Sequence, residues 1–204
     1  MVELATPEAV RAHYHEPHGL ALAKQIDRLD AHCRRFIALA PLLVIASCDG
    51  DGRLDATRRG DAPGFVAVLD ERTLLIPDRS GNNRVDTMMN LAQHKRIGLL
   101  FFVPGAVETL RVNGRAAILA EDEAMLAPLA AKGIPPRAAI RVDVEEVYFQ
   151  CGKALVRSDL WNPEARIARG TLPPFGQILA DQCKIARDPV LDQAIEDDYR
   201  SGLY

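Results

Sequence analysis

Hydrophobic positions change their period sharply along this chain. Ile26, Leu29, Cys33, Phe36, Ile37 and Ala40 recur at helical spacing, so residues 20–39 are expected to form an amphipathic helix that stops before Pro41. Beyond Pro41 the pattern becomes that of short strands. Leu42–Cys48 is an apolar, partly β-branched run, and the Asp49-Gly50-Asp51-Gly52 that follows it is a hairpin signal. Further strand-like runs are Leu54–Arg58, Phe65–Leu69, Thr73–Ile76, Ile97–Val103, Glu108–Leu119 and Ala139–Tyr148. Asn113-Gly114 marks a bend or bulge within the Glu108–Leu119 run. In the last run Ile140, Val142, Val144 and Tyr148 alternate with Arg141, Asp143 and Glu145, as in a half-buried strand. Two short helical stretches interrupt the series: one with Val85, Met88, Met89 and Ala92 as its apolar stripe, the other over residues 121–132 and disturbed by Pro128. Short connections favour antiparallel pairing, and six or seven short strands with few helices fit a closed barrel, which removes exposed strand edges.

The bulk composition narrows the function. At 204 residues, 48% hydrophobic and 26% charged, the chain resembles an ordinary soluble domain large enough to bury a core. A net charge of −3 speaks against a broad nucleic-acid footprint. The charge is uneven, with arginines gathered in residues 51–61 and 79–84 and acids from Asp188 to Asp198, which points to a local anionic ligand. Cys33, Cys48, Cys151 and Cys183 form no CxxC pair, so a reducing, cytoplasmic setting is expected. No apolar run is long enough for a membrane span, and the N-terminus lacks the basic and apolar regions of a secretory signal.

Three segments carry candidate chemistry. The first is Pro77-Asp78-Arg79-Ser80-Gly81-Asn82-Asn83-Arg84, which joins a strand to a helix. Gly81 and the two asparagines tolerate left-handed backbone angles, so successive N–H groups can curl towards one anion, and the helix N-terminus adds donors. Arg79 and Arg84 supply charge and bidentate geometry. A plain polar connection with Asn83 as helix N-cap accounts for the same residues equally well. No Walker-type Lys-Ser/Thr follows, and no GxGxxG follows any strand. The second segment is Arg58-Arg59-Gly60-Asp61, where Asp61 can orient an arginine; the alternative is a solvated strand end. In the third, Lys153 and Arg157 are one helical turn apart and precede Trp161, a combination suited to a planar anionic ligand or, equally, to a surface helix with a packed indole. His13, His15 and His18 lack a matching carboxylate or thiolate and read as a polar terminus; no metal site is expected. Cys151 has no neighbouring His in sequence and no nucleophile elbow.

Taken together, Ile76–Arg84, the strand from Ile97 to Gly105 and the continuation Glu108–Ala116 resemble the FMN-binding core of the pyridoxamine 5'-phosphate oxidase-like flavoproteins. Cys151-Gly152-Lys153-Ala154, Arg157-Ser158, Leu160-Trp161 and Pro174–Gln177 resemble marks of an uncharacterised subgroup. The resemblance covers roughly residues 30–182. It implies a mainly β fold with peripheral helices, a six-stranded antiparallel split barrel, and a homodimer with FMN at the subunit interface. By motif position it places Asn82, Asn83 and Arg84 at the FMN phosphate. Arg58, Arg59, Gly60 and Asp61 fall beside the isoalloxazine and ribityl groups, and Pro77 and Asp78 at the end of the next strand, also against the flavin. Thr109 to Arg111 fall on a strand reaching the partner's flavin, and Lys153, Arg157 and Trp161 near the ring. The Arg-x-His-like ending of the true oxidases is missing; the chain closes with Asp-Asp-Tyr-Arg-Ser-Gly-Leu-Tyr, which argues against vitamin B6 oxidation.

The expected layout is an N-terminal helical segment over residues 1–40, a split-barrel core over 41–160, and an acidic, helical C-terminal extension over 161–204. The expected activity is that of an FMN-dependent oxidoreductase acting on a small-molecule redox substrate, with catalytic residues unassigned. The rival is a non-catalytic protein of the same fold that binds or stores a flavin, a deazaflavin or haem. A further rival is a phosphate-ligand protein without flavin.

Overall fold

The computed structural model describes residues 2–168 and 170–204. Three helices lead in: α1 (Pro7–His13), α2 (Gly19–Ala23) and α3 (Ala31–Leu39). The strands follow as β1 (Leu42–Cys48), β2 (Leu54–Gly60), β3 (Ala67–Val68) and β4 (Thr73–Asp78), then helix α4 (Asp86–Gln93), β5 (Arg96–Phe102) and β6 (Thr109–Ala120). Helix α5 (Glu123–Leu126), running into a 3-10 turn at Ala127–Leu129, precedes β7 (Ala138–Gln150). Helices α6 (Lys153–Ser158), α7 (Phe175–Cys183) and α8 (Pro189–Ser201) complete the chain.

The expected helix over residues 20–39 is broken into α2 and α3. Ile26 between them exchanges backbone hydrogen bonds with Val147, at 2.8 and 3.0 Å, and so holds that stretch against the sheet. Asp30 then starts α3 as an N-cap, its carboxylate accepting the Cys33 N–H at 2.8 Å. Cys33 and Ile37 are the residues of α3 that enter the core. Burial, followed by the hydrogen bond to the Asp30 carboxylate and then its charge, pushes the Cys33 thiol up to about 12, so it packs as a protonated group.

All strand pairs are antiparallel, in the order β2-β1-β5-β6-β7-β4-β3. There are seven strands among the described residues, against the six implied by the resemblance; the extra one is the two-residue β3, all that forms of the Phe65–Leu69 run. The backbone ladder leaves β2 and β3 as edges, so the barrel is split rather than hydrogen-bonded all round. It is nevertheless wrapped about one core. Leu43 and Ile45 of β1, Leu74 and Ile76 of β4, Ile97, Leu99 and Phe101 of β5, Leu110 and Val112 of β6, and Ile140, Val142 and Val147 of β7 share one buried cluster, joined by Leu29, Ile37 and Leu91.

The bend at Asn113-Gly114 falls where the sequence places it, but the extra residue is on the partner strand. Asn113 pairs with Glu146 and Gly114 with Val144, leaving Glu145 unpaired as a bulge. One inserted residue reverses every later side chain. Inward positions on β7 therefore change from Ile140, Val142 and Val144 to Val147, and Tyr148, expected on the inner face, turns outward to Arg111. Gly114 is required because a Cβ there would lie 2.1 Å from the Asp143 carbonyl oxygen, a backbone atom of a paired strand. Gly114→Ala is expected to lose about 2 kcal/mol of unfolding free energy in urea, in the range for overpacking. An unchanged midpoint would show that the bulge can slide.

Candidate functional site at the barrel seam

The split in the barrel brings together two strand ends from opposite sides of the sheet order. β2 is one edge, and β4 lies next to the other. Where β2 ends, the carboxylate of Asp61 accepts a hydrogen bond from Nε of Arg79, just past β4, at 2.7 Å. A second, longer contact joins Arg59 of β2 to Asp78 of β4 at 3.7 Å. Ion pairs thus span a seam that has no backbone ladder.

Asp61 is the centre of this seam. Its side chain is 4% exposed and that of Arg79 is 16% exposed. Besides Arg79 it accepts the Ala62 N–H at 2.7 Å and the Tyr204 hydroxyl at 2.7 Å, while its own N–H donates to the Pro41 carbonyl at 3.1 Å. Burial pushes its carboxyl up, but the donors of Tyr204, Ala62 and Arg79 outweigh burial and hold it below the usual carboxylate range. Asp78 behaves oppositely: burial dominates and raises it, with Arg59 and Arg137 only partly opposing. Nε of Arg59 is buried without a hydrogen-bond partner.

The turn from Arg79 to Val85 is built for exposed donors. Asn83 has φ 57° and Val85 φ 52°. Left-handed geometry suits asparagine but is costly for a β-branched residue. The helix N-cap is Val85, not Asn83, and it makes no side-chain capping bond. Asn82 instead accepts the Arg84 N–H through Oδ1 at 3.1 Å, fixing the turn one step before the helix. Among the described residues the N–H groups of Ser80, Gly81, Asn82 and Asn83 donate to no protein acceptor. Gly60, Asp61, Arg79, Ser80, Gly81 and Asn82 form one side of a cavity of about 620 Å³, with the C-terminal residues from Asp198 to Tyr204 opposite. That volume is within the usual range for small-molecule sites.

One chain gathers only part of the expected residue set. Arg59, Gly60, Asp61, Pro77, Asp78, Arg79 and Asn82 converge at the seam, Pro77 being buried within β4. Arg58 is exposed on the other face of β2. Asn83 and Arg84 lie outside the cavity lining, and Arg84, 74% exposed, pairs with Asp86 at 2.8 Å. Thr109 and Arg111 belong to a second patch, where Thr109 meets Gln150 at 3.3 Å and Arg111 the Tyr148 hydroxyl at 3.0 Å. From Gly60 across β1 and β5 to Thr109 is three strand spacings, or roughly 14 Å along the sheet. Lys153 and Arg157 are exposed on α6, and the half-buried Trp161 donates from its indole N–H to the Ala106 carbonyl at 2.7 Å. Sequence reasoning missed Tyr204, whose hydroxyl reaches Asp61 and whose ring faces Lys132; the one available signal was an aromatic residue following an acidic stretch. No group of three or more His, Cys, Asp or Glu side chains is placed to hold a metal ion among the described residues.

Residues 29–151, more than half of the chain, match the family model described as pyridoxamine 5'-phosphate oxidase. The chain belongs to that family. Solved structures similar to this pyridoxamine 5'-phosphate oxidase family member include HupZ from Group A Streptococcus, 18% identical, with a TM-score of 0.50 over 60% of this chain and 94% of that one. A candidate pyridoxamine 5'-phosphate oxidase from Lactobacillus delbrueckii is 19% identical, with a TM-score of 0.46 over 60% and 99% of the two chains. An F420 reductase is 15% identical, with a TM-score of 0.41 over 56% and 93%. No curated protein matches the sequence. The likeness to HupZ is one of fold: a mainly antiparallel split barrel with peripheral helices.

The seam pair gives this family member a pH signature. Because the folded-state pKa of Asp61 is depressed, its contribution is complete above the unfolded value of ~3.9 and is lost as pH falls through the lower folded value. Asp61→Ala is expected to destabilise by about 3 kcal/mol near neutral pH, since it strands the largely buried Arg79. Urea unfolding should show that difference narrowing below pH ~4. A difference that stays constant into acid would assign the loss to packing instead of charge.

Proposed function

We propose that the protein is an FMN-binding flavoprotein and oxidoreductase, with the FMN phosphate seated on the turn from Arg79 to Arg84. The observation that supports this best is the run of N–H groups from Ser80 to Asn83 with no protein acceptor, which starts on the cavity wall that also carries Arg79. A phosphate monoester carries nearly two charges and several acceptor oxygens, which is what such a donor set satisfies. The buried, unpartnered Nε of Arg59 is a further donor at the same seam and favours an acceptor-bearing ligand. The donor chemistry therefore fits the phosphate end of FMN.

Bound FMN supplies reversible electron transfer; the chain supplies binding, orientation and electrostatics. In this reading Asn82, Asn83 and Arg84 hold the phosphate, Arg84 exchanging Asp86 for it. Arg59, Gly60, Asp61, Pro77 and Asp78 line the path towards the ring, and Arg58, on the other face of β2, does not. Thr109, Arg111, Lys153, Arg157 and Trp161, away from the cavity within one chain, serve the flavin of a second copy, so the working unit is a homodimer. All four cysteines are free, which suits a reducing, cytoplasmic setting.

Purified protein is expected to be yellow and to release FMN on denaturation. Bleaching by NADH or NADPH, followed by reoxidation with a small-molecule acceptor, separates an enzyme from a flavin carrier. A colourless protein that takes up no added FMN contradicts the proposal. Arg84→Ala should weaken FMN binding by about 2–3 kcal/mol, the range for a charge-assisted hydrogen bond, and leave riboflavin nearly unaffected. Equal losses for both ligands would make Arg84 structural.

A further inference from the structure

We propose that Tyr204 belongs to the binding site: carried by the segment from Asp198, it is a docked wall that encloses the ligand and slows its release. Docking is visible in several contacts. The Tyr204 hydroxyl donates to Oδ1 of Asp61 at 2.7 Å, and the other oxygen of Asp61 accepts from Arg79 at 2.7 Å. The Tyr204 ring lies 6.0 Å from the Arg79 guanidinium and 4.9 Å from the Lys132 ammonium, both within cation–π range. One largely buried carboxylate therefore holds Tyr204 to the cation of the seam turn.

The segment builds a boundary without filling the site. With Tyr204 in place, about 620 Å³ remains between Gly60–Asn82 on one side and Asp198, Tyr199, Gly202, Leu203 and Tyr204 on the other. The chain reaches this position by leaving α8 at Gly202, whose N–H donates to the Asp198 carbonyl at 2.8 Å. A Cβ at Gly202 would lie 2.9 Å from the Asp198 carbonyl oxygen, closer than a Cβ normally approaches a backbone atom, which favours glycine at this turn. The two walls differ in polar character: the turn side carries free N–H groups and an Arg79 already paired with Asp61, and the tail side carries the carboxylate of Asp198. A ligand with one anionic end is thereby oriented, anion towards the turn and away from Asp198. Identifying that ligand as FMN rests on the proposed function above; the docking of Tyr204 does not.

Two measurements test the two parts separately. Hydrogen exchange followed by mass spectrometry reads docking with no ligand present. Backbone exchange in residues 198–204 should be at least tenfold slower in wild type than in the Asp61→Ala variant; equal rates overturn the docking. Stopped-flow dissociation of FMN then compares wild type with Tyr204→Phe, which keeps the ring and removes the hydroxyl, and with Tyr204→Ala. The proposal expects release to quicken roughly tenfold in both without a slower association. Slow exchange in residues 198–204 with unchanged FMN release overturns the enclosing role. If wild type binds no FMN, the flavin reading fails and the exchange comparison alone decides the docking.

Discussion

A carboxylate with almost no access to water, Asp61, holds closed the side of the barrel that hydrogen-bonded strands do not. Burying such a charge is costly, and it is tolerated only when donors surround it. Here they come from three places far apart in the chain: the next residue, Ala62; the turn after β4, through Arg79; and the C-terminus, through Tyr204. The geometry of the candidate site follows from that convergence. A continuous backbone ladder at the same place would have left no cavity. An apolar seam would have left no cation for an anionic ligand.

The neighbouring turn stores strain where the site needs donors. Val85 occupies a left-handed conformation that costs a β-branched residue on the order of 1–3 kcal/mol, and it caps α4 without a side-chain acceptor. Asn83 adopts similar angles more easily. The successive positive-φ residues bracket Arg84 and leave the preceding N–H groups without protein partners. Such donors remain available to a ligand.

Features governed by neighbouring residues were readable from sequence. The Asp-Gly hairpin joins β1 to β2, the apolar runs became strands within a few residues of their expected bounds, and Asn113-Gly114 marked the bulge. Features governed by distant residues were not. Ile26 continues a helical period but is captured by Val147, so the expected long helix breaks. The extra residue at the bulge is Glu145, and the resulting reversal put Val147 inside in place of Tyr148. In the turn, composition identified an anion-friendly segment, but two arginines of identical chemistry gave no sign that Arg79 lines the cavity while Arg84 points to Asp86. The docking of Tyr204 on Asp61 joins residues 143 positions apart and has no local signature.

The central claim is that the ligand site lies at this seam, between the ends of β2 and β4. Hydrogen exchange followed by mass spectrometry, with and without FMN, tests it most directly because it maps protection without altering any residue. The account predicts that FMN slows exchange chiefly in residues 57–62 and 77–86. Unchanged exchange in both stretches at saturating FMN, with protection confined to other parts of the chain, would contradict it.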